Sequence, residues 1–223
     1  MWVKICANTN AADAQLAASL GADAVGFVFA ASPRHMEIEE VAAITGTLPA
    51  ALEKIGVFHG HNAEQILHAY HAAGLTGVQL HGEYDAQLVA LLRREVMVET
   101  GLVTVLQTVS WGVGNDPAQQ RDVLSKTLQT IAEDGVVDAV LVDSRTPTAS
   151  GGTGIAFNWS AAAETVSNSS LKVIVAGGLR PENVARAIAT LKPWGVDVAS
   201  GSEASPGKKD PSKVEAFLRN AKL

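Results

Sequence analysis

Short runs of β-branched and other apolar residues recur along the chain, and between most of them apolar positions fall at the spacing of one helical face. The runs at residues 2–6, 22–29, 54–60, 77–82, 103–109, 137–144, 171–179 and 195–201 predict eight strands. Helices are predicted over 11–21, 38–48, 62–74, 86–95, 116–134, 158–167, 180–191 and 210–222. The punctuation agrees with this pattern. Gly21 and Gly74 stand where a helix C-terminus favours a left-handed residue, Asn62 suits an N-cap, and Pro181 suits an early helical position. The stretch 96–111 is less clear, because strand-like residues flank Gly101 on both sides.

Strand and helix alternate to the end, and no Pro- or Ser-rich linker interrupts them. That order predicts an α/β fold, a single-domain (β/α)8 TIM barrel over residues 1–223. An open doubly wound sheet is the rival, since periodicity does not reveal closure. The segment "RTPTASGGTG" at 145–154 reads as a functional loop inside the domain rather than as a boundary.

Composition narrows the function classes. Apolar residues make up 47% of the 223 and charged residues 18%, enough to bury a sizeable core. A net charge of −6 argues against a nucleic-acid binder, although it leaves room for a small anion held by local N–H groups. Cys6 is the single cysteine, so neither an intramolecular disulfide nor a multi-cysteine zinc site is available. The start of the chain is too short and polar for a secretory signal, and no apolar run is long enough to span a bilayer. A cytoplasmic protein with no membrane association is the expectation.

Barrel chemistry sits at the C-terminal ends of strands, which makes those positions worth reading one by one. They hold Cys6, Arg34 just beyond the second strand, His81, Asp143, Gly177-Gly178 and Ser200-Gly201-Ser202. "AGGL" and "ASGSE", at consecutive strand ends, fit a phosphate site in which the backbone comes close to the anion; tight turns are the plainer reading of either alone. Cys6 suits a small core hydrophobe or, with its pKa lowered by dipoles or cations, a base. Asp143 suits a loop cap or, with its pKa raised by burial, an acid. Arg34, after Ser32-Pro33 in a segment expected to be extended, suits a planar carboxylate or solvent. His81 suits a satisfied strand-end histidine or a pocket wall. Lys208 and Lys209 read as solvated lysines. The remaining histidines form no convincing metal set, so no metal is expected.

Five blocks carry a family resemblance in order along residues 3–219: "KICANTNAADAQLAASLGADAVGFVFAASPRHM", "GVQLHGE", "LVDSRTPTASGGTGIAFNW", "VIVAGGLRPENV" and "GVDVASGSEASPGKKDPSKVEAF". Together they resemble the phosphoribosylanthranilate isomerases of tryptophan biosynthesis. The resemblance implies an Amadori rearrangement of N-(5-phosphoribosyl)anthranilate to 1-(2-carboxyphenylamino)-1-deoxyribulose 5-phosphate, a reaction that needs no organic cofactor. It implies Asp143 as general acid, Cys6 as general base and Arg34 on the anthranilate carboxylate. It further implies Gly177, Gly178, Ser200 and Gly201 around the phosphate, with His81 and Asp197 lining the pocket. The loop 151–154 resembles a segment that closes over substrate, with Gly152 approaching the phosphate. A monomer or a homodimer is compatible with all of this.

The chain departs from the family pattern in three places. Ala7 stands where glycine is usual after the cysteine, Ala199 replaces a frequent serine, and "VFHGHN" follows the third strand. Two related barrels are rivals. The histidine-pathway sugar isomerase resembles this chain but uses an aspartate as its first-strand base, and indole-3-glycerol phosphate synthase relies on lysines absent from the third and fifth strand ends here. A phosphate-binding barrel without catalysis is the rival from another class.

Overall fold

The computed structural model describes residues 1–99, 103–145 and 155–223. Eight parallel strands close into a barrel: β1 (Trp2–Ile5), β2 (Ala24–Val28), β3 (Glu53–Phe58), β4 (Gly77–His81), β5 (Thr104–Gly112), β6 (Ala139–Arg145), β7 (Lys172–Val175) and β8 (Gly195–Val198). Closure is explicit, because β1 pairs with β2 on one side and with β8 on the other. The open-sheet alternative is thereby excluded. Helices α1 (Ala11–Ser19), α2 (Ile38–Thr45), α3 (Ala63–Ala72), α4 (Ala86–Glu99), α5 (Pro117–Asp134), α6 (Trp159–Ser167), α7 (Val184–Leu191) and α8 (Pro211–Lys222) follow the strands in turn.

The period of two along each strand divides the core into two parts. Outward residues such as Val3, Ile5, Val140 and Val196 join the large apolar layer beneath the helices. Inward residues Ala24, Ile55, Leu106, Leu141 and Ile174 fill the barrel, with Trp2 packed against them. Above this plug the interior turns polar: Lys4, Gln79, Thr108 and Asp197 are all buried. Lys4 lies opposite Asp197 across the β1–β8 pairing.

Helix starts follow the capping residues. The Asn10, Asn62, Asp116 and Asp210 side chains accept from N–H groups of the first turns of α1, α3, α5 and α8, and Pro117 and Pro211 occupy first helical positions. Pro181 does not. Residues 181–183 form a turn and α7 begins at Val184, because the Asn183 amide is engaged with Gly178 O (2.9 Å) and Arg180 N (2.8 Å) instead. In the stretch 96–111, α4 runs on to Glu99 and the strand begins only at Thr104. Burial of Val96 against the barrel outweighs its β propensity.

Strands β7 and β8 stop four and three residues short of the predicted runs, at Val175 and Val198. Gly177 and Gly178 take positive φ, and residues 200–202 form a 3-10 turn. A small antiparallel hairpin of β9 (Glu203–Ser205) and β10 (Lys208–Lys209) follows. It is too short to show any alternation in sequence.

Candidate active site

Because every second strand residue points inward, a residue two places beyond an interior one stands at the C-terminal rim. Cys6 follows Lys4 in this way, His81 follows Gln79, Asp143 follows Leu141, and Ala199 follows Asp197. Cys6, Arg34, His81, Asp143 and Asp197 line one cavity of about 190 Å3. Gly177, Gly178, Ser200 and Gly201 line a smaller neighbour, which shares Asp143, Asp197 and Ala199 with the first. Gly152 and the rest of loop 151–154 lie outside the described residues. A wider hollow of about 590 Å3, lined by Arg121, Glu133 and Glu164 among others, lies between α5 and α6, away from every strand end. Barrel chemistry does not occur on that outer face.

Cys6 directly follows β1, with its backbone tied on both sides. Its N–H donates to Val198 O at 2.8 Å, and its carbonyl accepts from Lys209 Nζ at 2.6 Å. The next residue, Ala7, sits at φ 61°, a left-handed conformation that explains why glycine is the usual occupant. Burial holds the Cys6 thiol above its ordinary pKa; the Lys4 charge opposes this and the Asp197 charge adds to it. Asp143 is buried, and burial together with the Asp197 charge raises its carboxyl to about 7, against the Ser144 N–H that donates to it at 2.7 Å. Such a carboxyl still carries its proton near neutrality.

Arg34 stands in a turn, not an extended segment. The His35 N–H donates to Ser32 O at 3.0 Å and the Arg34 N–H to Ser32 Oγ at 3.1 Å, with Pro33 at the position of the turn that its ring favours. The guanidinium donates through Nε and Nη2 to both oxygens of Glu203, at 2.7 and 2.6 Å. Its plane is fixed by that fork, and the remaining donors are left for a second carboxylate. Lys209 is not solvated as expected. Fully buried, its Nζ reaches Cys6 O, Ala199 O at 3.2 Å and Glu203 Oε1 at 3.7 Å, whereas Lys208 is exposed.

In the glycine-lined cavity the glycines are sterically required. A Cβ on Gly177 would stand 2.9 Å from Asp143 Oδ1 and 2.6 Å from Ser144 N. On Gly178 it would stand 2.2 Å from Ala156 N, and on Gly201 1.8 Å from Leu179 O. These are backbone neighbours that cannot swing away. On the opposite side His59 lines the main cavity and its Nδ1 donates to the His81 carbonyl. Among the described residues no three of His, Cys, Asp and Glu converge as metal ligands, and no helix is long and apolar enough to cross a membrane.

Lys4, Gln79 and Glu203 go unnoticed in the sequence, and Lys209 reads there as solvated. For Lys4 the signal was present, since a lysine two residues before Cys6 on a buried strand must share its face. Gln79 stands in the same relation to His81. Glu203 and Lys209 lie beyond the last barrel strand, where no periodicity announces that a hairpin turns them inward.

The family model for N-(5'phosphoribosyl)anthranilate (PRA) isomerase matches residues 3–220. The N-(5'-phosphoribosyl)anthranilate isomerase of Pelobacter propionicus is 41% identical over 221 residues, covering 99% of this chain and 95% of the relative. A solved structure of monomers generated from the dimeric phosphoribosylanthranilate isomerase of Thermotoga maritima is 34% identical, with a TM-score of 0.80 over 100% of this chain and 98% of that one. A phosphoribosylanthranilate isomerase solved with reduced 1-(o-carboxyphenylamino)-1-deoxyribulose 5-phosphate is 33% identical, with a TM-score of 0.80 and the same coverage.

Proposed function

The chain belongs to the N-(5'-phosphoribosyl)anthranilate isomerase family, and we propose that it performs the family's reaction as an Amadori rearrangement, with Asp143 as acid and Cys6 as base. The supporting observation is that Cys6, Asp143 and Arg34 share one cavity, which adjoins a glycine-lined one through Asp143 itself. A substrate with an anthranilate at one end and a phosphate at the other then places its furanose ring between them, beside the acid and the base.

In this reading the Asp143 carboxyl donates its proton to the ring oxygen. The C1–O bond breaks, the anilino nitrogen lone pair forms the C1=N bond, and an open-chain Schiff base results. The Cys6 thiolate takes the C2 proton. The electrons of that C–H bond form C1=C2, and the C1=N pair returns to nitrogen, giving an enolamine. Loss of the enol proton and gain of one at C1 complete the ketone. C2 is oxidised and C1 reduced, so the electrons balance within the substrate. Arg34, its plane set by Glu203, receives the anthranilate carboxylate. Gly177, Gly178, Ser200 and Gly201 receive the phosphate. His81 and Asp197 complete the pocket wall.

The test is turnover of freshly generated N-(5-phosphoribosyl)anthranilate, followed by loss of anthranilate fluorescence, with the ketose product identified by mass and by borohydride reduction. Fluorescence loss that matches product formation is expected. A folded protein that binds the reduced product without turning over substrate contradicts the proposal and leaves a phosphate-binding barrel without catalysis.

A further inference from the structure

The acid–base scheme leaves one buried charge unused. Lys4 is wholly inaccessible, on the interior face of β1 directly below Cys6. Its Nζ donates to Gln79 Oε1 at 2.9 Å and to Asp197 Oδ1 at 3.1 Å. Gln79 is itself held, its Nε2 donating to Thr108 Oγ1 at 3.1 Å. Two of three ammonium hydrogens therefore have fixed partners inside the barrel, and the stem is immobilised.

The thiol and the end of this stem border the same glycine. A Cβ on Gly26, on the neighbouring strand β2, would stand 2.7 Å from Cys6 Sγ and 3.0 Å from Lys4 Cε. The sulfur and the end of the lysine stem thus meet over one glycine, whose missing side chain makes the room. A thiolate buried this deeply is costly unless a cation stands beside it, and the Lys4 stem ends at the same Gly26 gap.

We propose that Lys4 is a positioning residue for the reaction: its ammonium, clamped by Asp197 and Gln79, is the counter-cation that opposes the burial of Cys6 and stabilises its thiolate as it forms beside the Gly26 gap. The proposal rests on Cys6 being the base. The other charged groups facing the thiol are Asp197 from β8, Lys209 from β10 and Arg34 from the turn after β2, with Asp143 on β6 and the His59 and His81 rings across the same cavity. Lys4, two residues before Cys6 on the same face, exerts the strongest downward pull of these groups. Burial works against the lysine's own charge, but Asp197 and Cys6 together hold its pKa above the ordinary value, so it stays an ammonium throughout the working range.

Cys6 is the single cysteine of the chain, which makes a substrate-free test possible. The rate of alkylation by iodoacetamide against pH reads its thiolate fraction alone. In Lys4→Gln the midpoint should rise by about one pH unit or more, and kcat/KM near neutrality should fall by about the same factor, tenfold or more. Should Lys4→Gln fail to fold because Asp197 is left unpaired, Lys4→Gln/Asp197→Asn removes both charges. Its expected shift is smaller but still upward, since the pull of Lys4 exceeds the push of Asp197. An unmoved alkylation midpoint in a folded variant overturns the role of Lys4 and leaves the base assignment standing. Full activity in Cys6→Ser overturns the base assignment, and this proposal with it.

Discussion

Arg34 and Glu203, from the β2–α2 turn and from the hairpin after β8, meet through two parallel N–H···O bonds of 2.7 and 2.6 Å. Glu203 also lies 3.7 Å from Lys209, whose Nζ holds the Cys6 carbonyl. One carboxylate thus connects the residue assigned to the anthranilate with the backbone of the residue assigned as base. Burial works to raise the Glu203 carboxyl, but the Arg34 and Lys209 interactions outweigh it and hold its pKa below the ordinary range. Glu203→Gln should therefore loosen substrate binding more than chemistry. A rise in KM of about tenfold with a smaller fall in kcat is expected, in line with losing one charge-assisted fork. Steady-state kinetics on the variant check it, and an unchanged KM contradicts the link.

Asp143 carries a stability cost that changes with pH. Its carboxyl titrates near 3.8 when unfolded and at about 7 when folded. Stability is therefore fullest below the first value, declines between the two, and is lowest above about 7, where folding must bury an ionised group or protonate it. Asp143→Asn should be more stable than the parent above that point by about 2 kcal/mol, while being the less active protein. Denaturant melts at alkaline and at acidic pH should show the advantage in the first and its disappearance in the second.

Gly201 approaches Leu179 O so closely that any side chain must displace backbone. Gly201→Ala should raise KM for the phosphorylated substrate by about tenfold or more and weaken competitive inhibition by inorganic phosphate in parallel, at a stability cost of about 1–3 kcal/mol. Inhibition constants for phosphate in parent and variant read the site directly. Equal constants would remove Gly201 from it.

Ala7 presents two opposed contributions. Its left-handed backbone costs about 1 kcal/mol relative to glycine, and its buried methyl packs beside Val57 and Cys6 for about 0.8 kcal/mol. Ala7→Gly should accordingly be close to neutral. Ala7→Val brings a β-branched side chain to φ 61°, and should lower stability by about 2 kcal/mol and activity by about tenfold as the Cys6 end of β1 shifts. Thermal melts with activity measured on the folded fraction distinguish the two variants.

The strand–helix alternation was legible because short apolar runs are punctuated by glycine or polar residues, and because α1, α3, α5, α6 and α8 open on a capping Asn or Asp. Closure was invisible, since the pairing of β1 with β8 joins residues at opposite ends of the chain. Cys6, Asp143 and the paired glycines were legible from their places at strand ends. Lys4 was legible by the same two-residue rule but reads in isolation as one polar interruption of a short strand. The Arg34–Glu203 fork and the burial of Lys209 depend on how the hairpin at 203–209 folds back over the first strand. Charge density alone made those residues look solvated.

The decisive measurement is kcat for Cys6→Ser and Asp143→Asn beside the parent, by loss of anthranilate fluorescence on folded protein with saturating substrate. A fall of about a hundredfold or more in each, with reduced-product affinity retained, is the expected result for a base and an acid that each move one proton. Near-parent turnover in either variant would contradict the role assigned to that residue.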